Sequence, residues 1–230
     1  MKLTILGSGT SQGIPVIACD CPVCRSADPH DKRLRASAML DIKGKKIIID
    51  AGPDFRYQML RSQVKDLRAI LLTHGHKDHI GGLDDVRAFN WVKQGAVDVY
   101  GNEGTREVVY KDFSYAFAAF RYPGVPEINY HVIDDRPFYI DDIQVVPIPV
   151  LHYKMPVLGF RIGNFAYITD AKTIPASSME RLKGVEYLVI NALRKELHMS
   201  HFNLEEALTM IARIQPKSAF LTHIGHQMGL

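Results

Sequence analysis

The sequence predicts a mixed α/β fold built from two packed β-sheets with helices on their outer faces. Strand-like runs outnumber helical ones along the 230 residues, and several stand side by side as hairpins. That arrangement fits a purely parallel, doubly wound sheet poorly and two mixed sheets well. A content of 47% hydrophobic and 23% charged residues is ordinary for a globular chain with a sizeable core.

The elements follow in order. Lys2 to Leu6 reads as a strand that enters the glycine-rich loop Gly7-Ser8-Gly9-Thr10-Ser11-Gln12-Gly13. Residues 38–42 and 45–50 flank Gly44 and predict a hairpin. Asp54 is placed to cap a helix through about Arg61. Asp84 to Val92 reads as helix, Val97 to Tyr100 as strand, and Glu103 to Tyr110 as helix. Phe113, Phe117 and Phe120 recur at helical spacing; with Tyr115 and Tyr122 they read as core packing in preference to a lid or a dimer face. Segments near 128–134, 137–140 and 143–150 are strand-like, and Gly163-Asn164 joins 158–162 to 165–169 as a two-residue hairpin. Tyr187 to Ile190 and Ser218 to Leu221 are the last strands. Between them Asn203 and Glu206 form a capping-box pair for a helix to Gln215.

Composition narrows the function. A net charge of +3 without a basic run argues against a nucleic-acid partner. The apolar start, Met1 to Gly7, is too short for a signal peptide, and no stretch approaches the ~18 apolar residues of a membrane span. The expectation is a cytoplasmic protein that does not engage membranes. Three cysteines within six residues, Cys19, Cys21 and Cys24, do not make a disulfide framework.

The densest chemistry lies in Thr73-His74-Gly75-His76-Lys77-Asp78-His79, directly after the apolar run 69–72. Three imidazoles and a carboxylate in six residues can serve two metals from one turn. A merely solvated loop is the weaker reading, because buried polar rings without partners are costly and later segments supply further donors. Asp50 follows Ile47-Ile48-Ile49, His152 follows 145–151, Asp170 ends 165–169, and His223 ends 219–222. Each sits just past a strand-like run, where a rigid sheet can hold ligands while loops shape a pocket.

This H-x-H-x-D-H pattern, with its later ligands, resembles the metallo-β-lactamase superfamily across nearly the whole chain. The resemblance implies an αββα sandwich formed as a single domain over residues 1–230; relatives usually continue past this point, so a short C-terminal segment beyond Leu230 stays open. It also implies a binuclear site. His74, His76 and His152 would hold one ion, Asp78, His79 and His223 the other, with Asp170 between them. Zinc, manganese or iron would suit these donors. Two ions about 3.5–4 Å apart can hold a hydroxide that attacks the substrate. Asp50 is expected to orient the first motif without ligating. His30 and His131 match no motif and read as ordinary residues.

Cys19, Cys21 and Cys24 offer three thiolates at zinc-like spacing, and His226 is the candidate fourth ligand of one structural zinc. Together with Gly9-Thr10-Ser11-Gln12-Gly13-Ile14-Pro15 and Thr222-His223-Ile224-Gly225-His226, this cluster resembles one branch of the superfamily. That branch holds the phosphoribosyl 1,2-cyclic phosphate phosphodiesterases. It is related to tRNA 3′-processing endonucleases and to a cofactor-biosynthesis protein, and homodimers are common in it.

By the same resemblance His201 matches a histidine placed near the leaving group, with His198 as a neighbour, so His201, Asp78 and Asp170 are the catalytic candidates. Ser8, Thr10, Ser11 and Arg194 are candidates for holding a phosphate. The expected activity is hydrolysis of a small, cyclic phosphate ester. The alternatives are an RNA 3′-processing nuclease, a thioester or lactone hydrolase, and a metal-bearing accessory protein without catalysis.

Overall fold

The computed structural model describes residues 1–229. The chain forms two compact units, one of residues 1–7 and 35–134, the other of residues 8–34 and 135–230.

The first unit carries a six-stranded sheet in sequential order: β1 (Lys2–Gly7), β2 (Ser37–Ile42), β3 (Lys45–Ile49), β4 (Ala69–Leu71), β5 (Val97–Gly101) and β6 (Ile128–Val132). β1 to β3 pair antiparallel and β3 to β6 parallel, so the sheet is mixed as predicted. Ile47, Ile48, Ile49, Ile70 and Leu71 are wholly buried, which is why these runs read as continuously apolar. A helix begins where Asp54 predicted, but Asp54 does not cap it: its carboxylate accepts from the Arg35 amide (2.8 Å) and pairs with the Arg35 guanidinium (3.1 Å). The run 84–92 divides into a 3₁₀ turn at Leu83–Val86 and a helix at Arg87–Lys93. The aromatic stripe also divides. The helix Ser114–Phe117 stops short of Phe120; Phe113 packs into the core and Phe117 against it, while Phe120 and Tyr122 are exposed. Core packing therefore accounts for Phe113 and Phe117 alone; Tyr115 is exposed as well and donates its hydroxyl to Asp84 (2.6 Å).

The second unit carries the other mixed sheet: β7 (Phe138–Ile140), β8 (Ile143–His152), β9 (Met155–Ile162), β10 (Phe165–Ile168), β11 (Tyr187–Asn191) and β12 (Ser218–Thr222). β7 to β10 are antiparallel neighbours, whereas β10, β11 and β12 are parallel. β8, β10, β11 and β12 therefore run in one direction, and their carboxyl ends gather at one edge. Gly163 (φ 58°) makes the predicted turn between β9 and β10. The capping box at Asn203 forms as read, at the start of the helix Leu204–Ile214. Among the described residues no helix is long and apolar enough to cross a membrane.

Phe160 on β9 is wholly buried. Phe160→Ala is expected to cost about 3–5 kcal/mol of unfolding free energy through the lost burial and the cavity left behind. Urea denaturation followed by circular dichroism measures it.

Candidate metal centre

In the first unit the histidine turn leaves the end of β4 and enters a short helix at Lys77–Ile80. His74 and His79 are buried, with ring centroids 4.2 Å apart, and His76 stands 4.5 Å from His74. Asp78 Oδ2 lies 3.1 Å from His79 Nε2. All four residues of the H-x-H-x-D-H motif thus converge.

Asp50 organises them. Its carboxylate accepts from the Thr73 amide (2.8 Å) and the Thr73 hydroxyl (2.9 Å), and its Oδ2 lies 2.7 Å from His79 Nδ1. The Thr73 hydroxyl, its proton given to Asp50, accepts from His74 Nδ1 at 3.0 Å. Both rings are held through Nδ1, which fixes the tautomer whose Nε2 carries the lone pair a metal needs. Burial pushes the Asp50 carboxyl above its usual range, and His79 and Thr73 act against that. Thr73 escaped the sequence reading; only its place between strand and motif marks it.

Gly52 lets the turn come close. A Cβ there would stand 1.9 Å from the Asp78 carbonyl oxygen.

The second unit gathers His152, Asp170, His201 and His223 at the shared edge of its parallel-running strands. His152, Asp170 and His201 each place a ligand atom within 4.8 Å of the others. His223 Nε2 lies 3.3 Å from Asp170 Oδ1, and the His201 and His223 rings stack at 4.9 Å. His152 is also held through Nδ1, 2.9 Å from the Ser200 carbonyl. Thr169 donates its hydroxyl to Asp170 Oδ2 at 2.7 Å. His198 stands 5.1 Å from His201, the neighbour it was expected to be. Burial pushes the His201 imidazole down to about 3, and the Asp170 carboxylate opposes that shift.

Three strand ends share an unusual backbone. Asp50 (φ 63°), Asp170 (φ 56°) and His223 (φ 54°) all adopt the left-handed region. Non-glycine residues enter that region at some cost, and such positions concentrate at functional sites.

Cys19, Cys21, Cys24 and His226 also meet in the second unit. The three sulfurs lie 3.2, 3.4 and 3.5 Å from His226 Nδ1. A tetrahedral zinc, with Zn–S about 2.3 Å and Zn–N about 2.0–2.1 Å, holds sulfur and nitrogen about 3.5 Å apart. The donors therefore fit such an ion without rearrangement. The Val16 amide donates to Cys24 Sγ (3.3 Å) and the Cys24 amide to Cys21 Sγ (3.5 Å), contacts that suit thiolates. The Cys24 amide leads in lowering the Cys21 thiol to about 6, while burial raises Cys24.

The remaining candidates are placed less directly. The Ser8 hydroxyl accepts from Arg33 (3.0 Å), the Ser8 carbonyl accepts from the Ile224 amide (2.8 Å), and the Thr10 amide donates to the Ile224 carbonyl (3.0 Å). The glycine-rich loop is thus laced to the residue after His223, and Ser11 stands exposed on it. Arg194 donates to the Leu197 carbonyl (2.8 Å) and to Gln227 (3.3 Å), so its guanidinium braces local backbone. His131 is ordinary as read, 2.9 Å from Asp98, and His30 pairs with Asp28 at the surface.

Comparison with known proteins fits this picture. The beta-lactamase superfamily domain matches residues 45–224. The chain belongs to the metallo-β-lactamase superfamily. The matched span contains every residue of both histidine–aspartate sets. A solved diphosphatase from the PhnP family is 41% identical with a TM-score of 0.92, over 98% of this chain and 86% of its own. A Porphyromonas gingivalis protein named octanoyltransferase is 41% identical over 100% of this chain and 47% of its own length. A ribonuclease Z of Nostoc punctiforme is 30% identical over 71% of this chain and 47% of its own. The chain thus spans about half the length of these curated relatives.

Gly52→Ala is expected to force the Asp78 backbone away, costing roughly 1–3 kcal/mol and lowering the metal content. Thermal denaturation with and without added metal, together with elemental analysis, tests this. An unchanged metal content would mean the close approach does not position Asp78.

Proposed function

We propose that this chain is a phosphodiesterase acting on a small phosphorylated substrate, with a five-membered cyclic ribose phosphate as the leading candidate. The observation that supports hydrolysis at phosphorus is the 41% identity, over nearly the full chain, to a protein described as a diphosphatase of the PhnP family; the choice of a cyclic ester draws on the resemblance carried by the glycine-rich loop, the cysteine cluster and the terminal T-H-x-x-H motif. On this reading the two donor sets serve one binuclear centre in a single domain. His74, His76 and His152 hold one divalent ion, Asp78, His79 and His223 a second, and Asp170 serves both. Zinc, manganese and iron all suit these donors. When bound, two such ions supply a water activated near neutral pH and positive charge against the phosphoryl oxygens.

The chain's own residues do the rest. Asp50 and Thr73 hold the His79 and His74 rings so that Nε2 is presented. His201 delivers a proton to the departing oxygen. Its ring is neutral at pH 7 in the free protein, and a phosphate anion lying against it favours the protonated form. Ser8, Thr10 and Ser11 offer hydroxyls and amides to the phosphate, while Arg194 shapes the loop that carries His201. Cys19, Cys21, Cys24 and His226 would hold one structural zinc, which would tie the loop at 8–34 to the segment after His223. Reduced thiols there accord with a cytoplasmic setting.

A second reading, hydrolysis of an acyl thioester on the same metals, draws on the octanoyltransferase relative. Processing of RNA draws on the ribonuclease Z likeness, but a net charge of +3 offers little to hold a polyanion.

The test is turnover of a panel by metal-reconstituted protein: a five-membered cyclic ribose phosphate, a linear phosphodiester, an octanoyl thioester and a short RNA. Preference for the cyclic phosphate is expected; activity confined to the thioester or to RNA would replace the substrate class. His201→Ala should slow alkoxide leaving groups by about 10²–10⁴-fold and nitrophenolate far less. Equal slowing of both would remove His201 as the acid. In Cys21→Ala, one zinc per chain should be lost with a fall in Tm, and an unaltered zinc count would sink the structural-zinc assignment.

A further inference from the structure

The cysteine cluster has a chemistry that holding an ion does not use. Cys21-Pro22-Val23-Cys24 is a dithiol on one helical turn: Cys21 caps the short helix Pro22–Arg25, and Cys24 lies inside it. Residues three apart across a helical turn have Cα atoms about 5 Å apart. That falls within the about 4.4–6.8 Å a disulfide needs. The sulfurs are gathered already. The ligand atoms of Cys19, Cys21, Cys24 and His226 all lie within 4.8 Å of one another, and the Cys24 amide donates to Cys21 Sγ at 3.5 Å. Closing Cys21 on Cys24 therefore asks for rotation of side chains and little of the backbone.

Burial divides the roles. Cys21 is half-buried and open to a small solute, whereas Cys24 is buried behind it. An accessible thiol beside a resolving one is the arrangement of an oxidisable pair. Cys19, also half-buried, lies outside the turn.

The oxidant is hydrogen peroxide. The Cys21 sulfur attacks one peroxide oxygen, the O–O bond breaks, and the departing hydroxide takes a proton to become water. Cys21 is then a sulfenic acid. The Cys24 sulfur attacks the Cys21 sulfur, the S–O bond breaks, and the oxygen leaves as a second water. Two thiolates, two protons and one peroxide give one disulfide and two waters; sulfur loses two electrons and peroxide gains them.

The consequence reaches beyond the pair. A closed structural zinc takes four ligands, and the disulfide leaves only Cys19 and His226. With the ion gone, His226 loses its tie to the cysteines. The segment 223–229 then keeps its backbone bonds to Ser8 and Thr10 through Ile224. His223 lies in that segment.

We infer that Cys21 and Cys24 form a reversible dithiol switch: peroxide closes them into a disulfide, the zinc site opens, and the segment that carries His223 loosens. The inference rests on the structural-zinc assignment proposed above and is independent of the substrate.

Peroxide treatment of the zinc-loaded protein tests it. One zinc per chain should be released to a chromogenic chelator. Thiols counted in denaturant should fall from three to one, the chain having three cysteines of which two become linked. Peptide mass mapping should find Cys21 joined to Cys24 within one chain. Amide hydrogen exchange over 223–229 should accelerate, and dithiothreitol with added zinc should reverse all four changes. Cys19→Ser should still lose both remaining thiols to the same disulfide. Cys24→Ser should stop at a Cys21 sulfenic acid that dimedone traps.

Zinc retained with three thiols intact overturns the switch and leaves the zinc assignment standing. A disulfide formed with no zinc released, from protein whose zinc count equals that of Cys21→Ala, overturns the zinc assignment and the switch with it. Oxidation to sulfinic acid, a disulfide through Cys19, or a disulfide between chains overturns the pairing. Unchanged amide exchange over 223–229 overturns the coupling to His223.

Discussion

The buried carboxylate of Asp50 is the point on which the histidine turn depends. A carboxylate removed from water is unfavourable unless several donors meet it. Here the Thr73 amide, the Thr73 hydroxyl and the His79 ring all do so. Satisfying that one group has three consequences. It draws the end of β3 to the end of β4, it sets the tautomer of His79, and through the Thr73 hydroxyl it sets that of His74. The left-handed backbone at Asp50 is the cost of turning its side chain towards this task, and the surrounding sheet holds it in place.

The second unit solves the same problem with different groups. Asn191, wholly buried at the end of β11, accepts from the Ala171 amide (2.8 Å) and donates to the Ala171 carbonyl (3.0 Å). That carbonyl also accepts from the Phe202 amide (2.8 Å), so the residue after Asp170 is joined to the residue after His201. Lys172 reaches across to Glu206 (2.6 Å), whose other task is to close the capping box at Asn203. The His201 turn is thereby fixed from both sides, by a backbone contact and by an ion pair at the start of a helix. These residues touch no ligand atom themselves, yet they decide where Asp170 and His201 point.

The sequence disclosed what depends on type and spacing, and it hid what depends on distant partners. The strand runs were legible because both sheets bury them, which leaves the residue pattern almost purely apolar. The capping box at Asn203 was legible because it is local. Asp54 misled for the opposite reason: Arg35, nineteen residues earlier, claims its carboxylate, and no local rule contains that contact. Phe120 misled because helical spacing continued past the point where the helix ends. The acceptors that meet the Arg194 guanidinium, the Leu197 carbonyl and the Gln227 side chain, had no sequence signal. The left-handed φ values at Asp170 and His223 had no sequence signal, since glycine is the usual marker and neither position carries one.

The cysteine cluster carries a constraint of its own. Three thiols lie within 3.5 Å of one imidazole nitrogen, and the protein shifts them unequally, lowering Cys21 and raising Cys24. Three thiolates gathered round one imidazole would repel one another, and a bound cation would relieve that repulsion. On the structural-zinc proposal, the free energy of binding the ion would add directly to the stability of the segments involved. Those segments are the loop at 8–34 and the chain end at 223–229, already laced together through Ser8, Thr10 and Ile224. His223 sits inside that lacing, three residues before the cysteine partner His226. A side chain on a left-handed backbone needs rigid surroundings, and the lacing beside His223 supplies them.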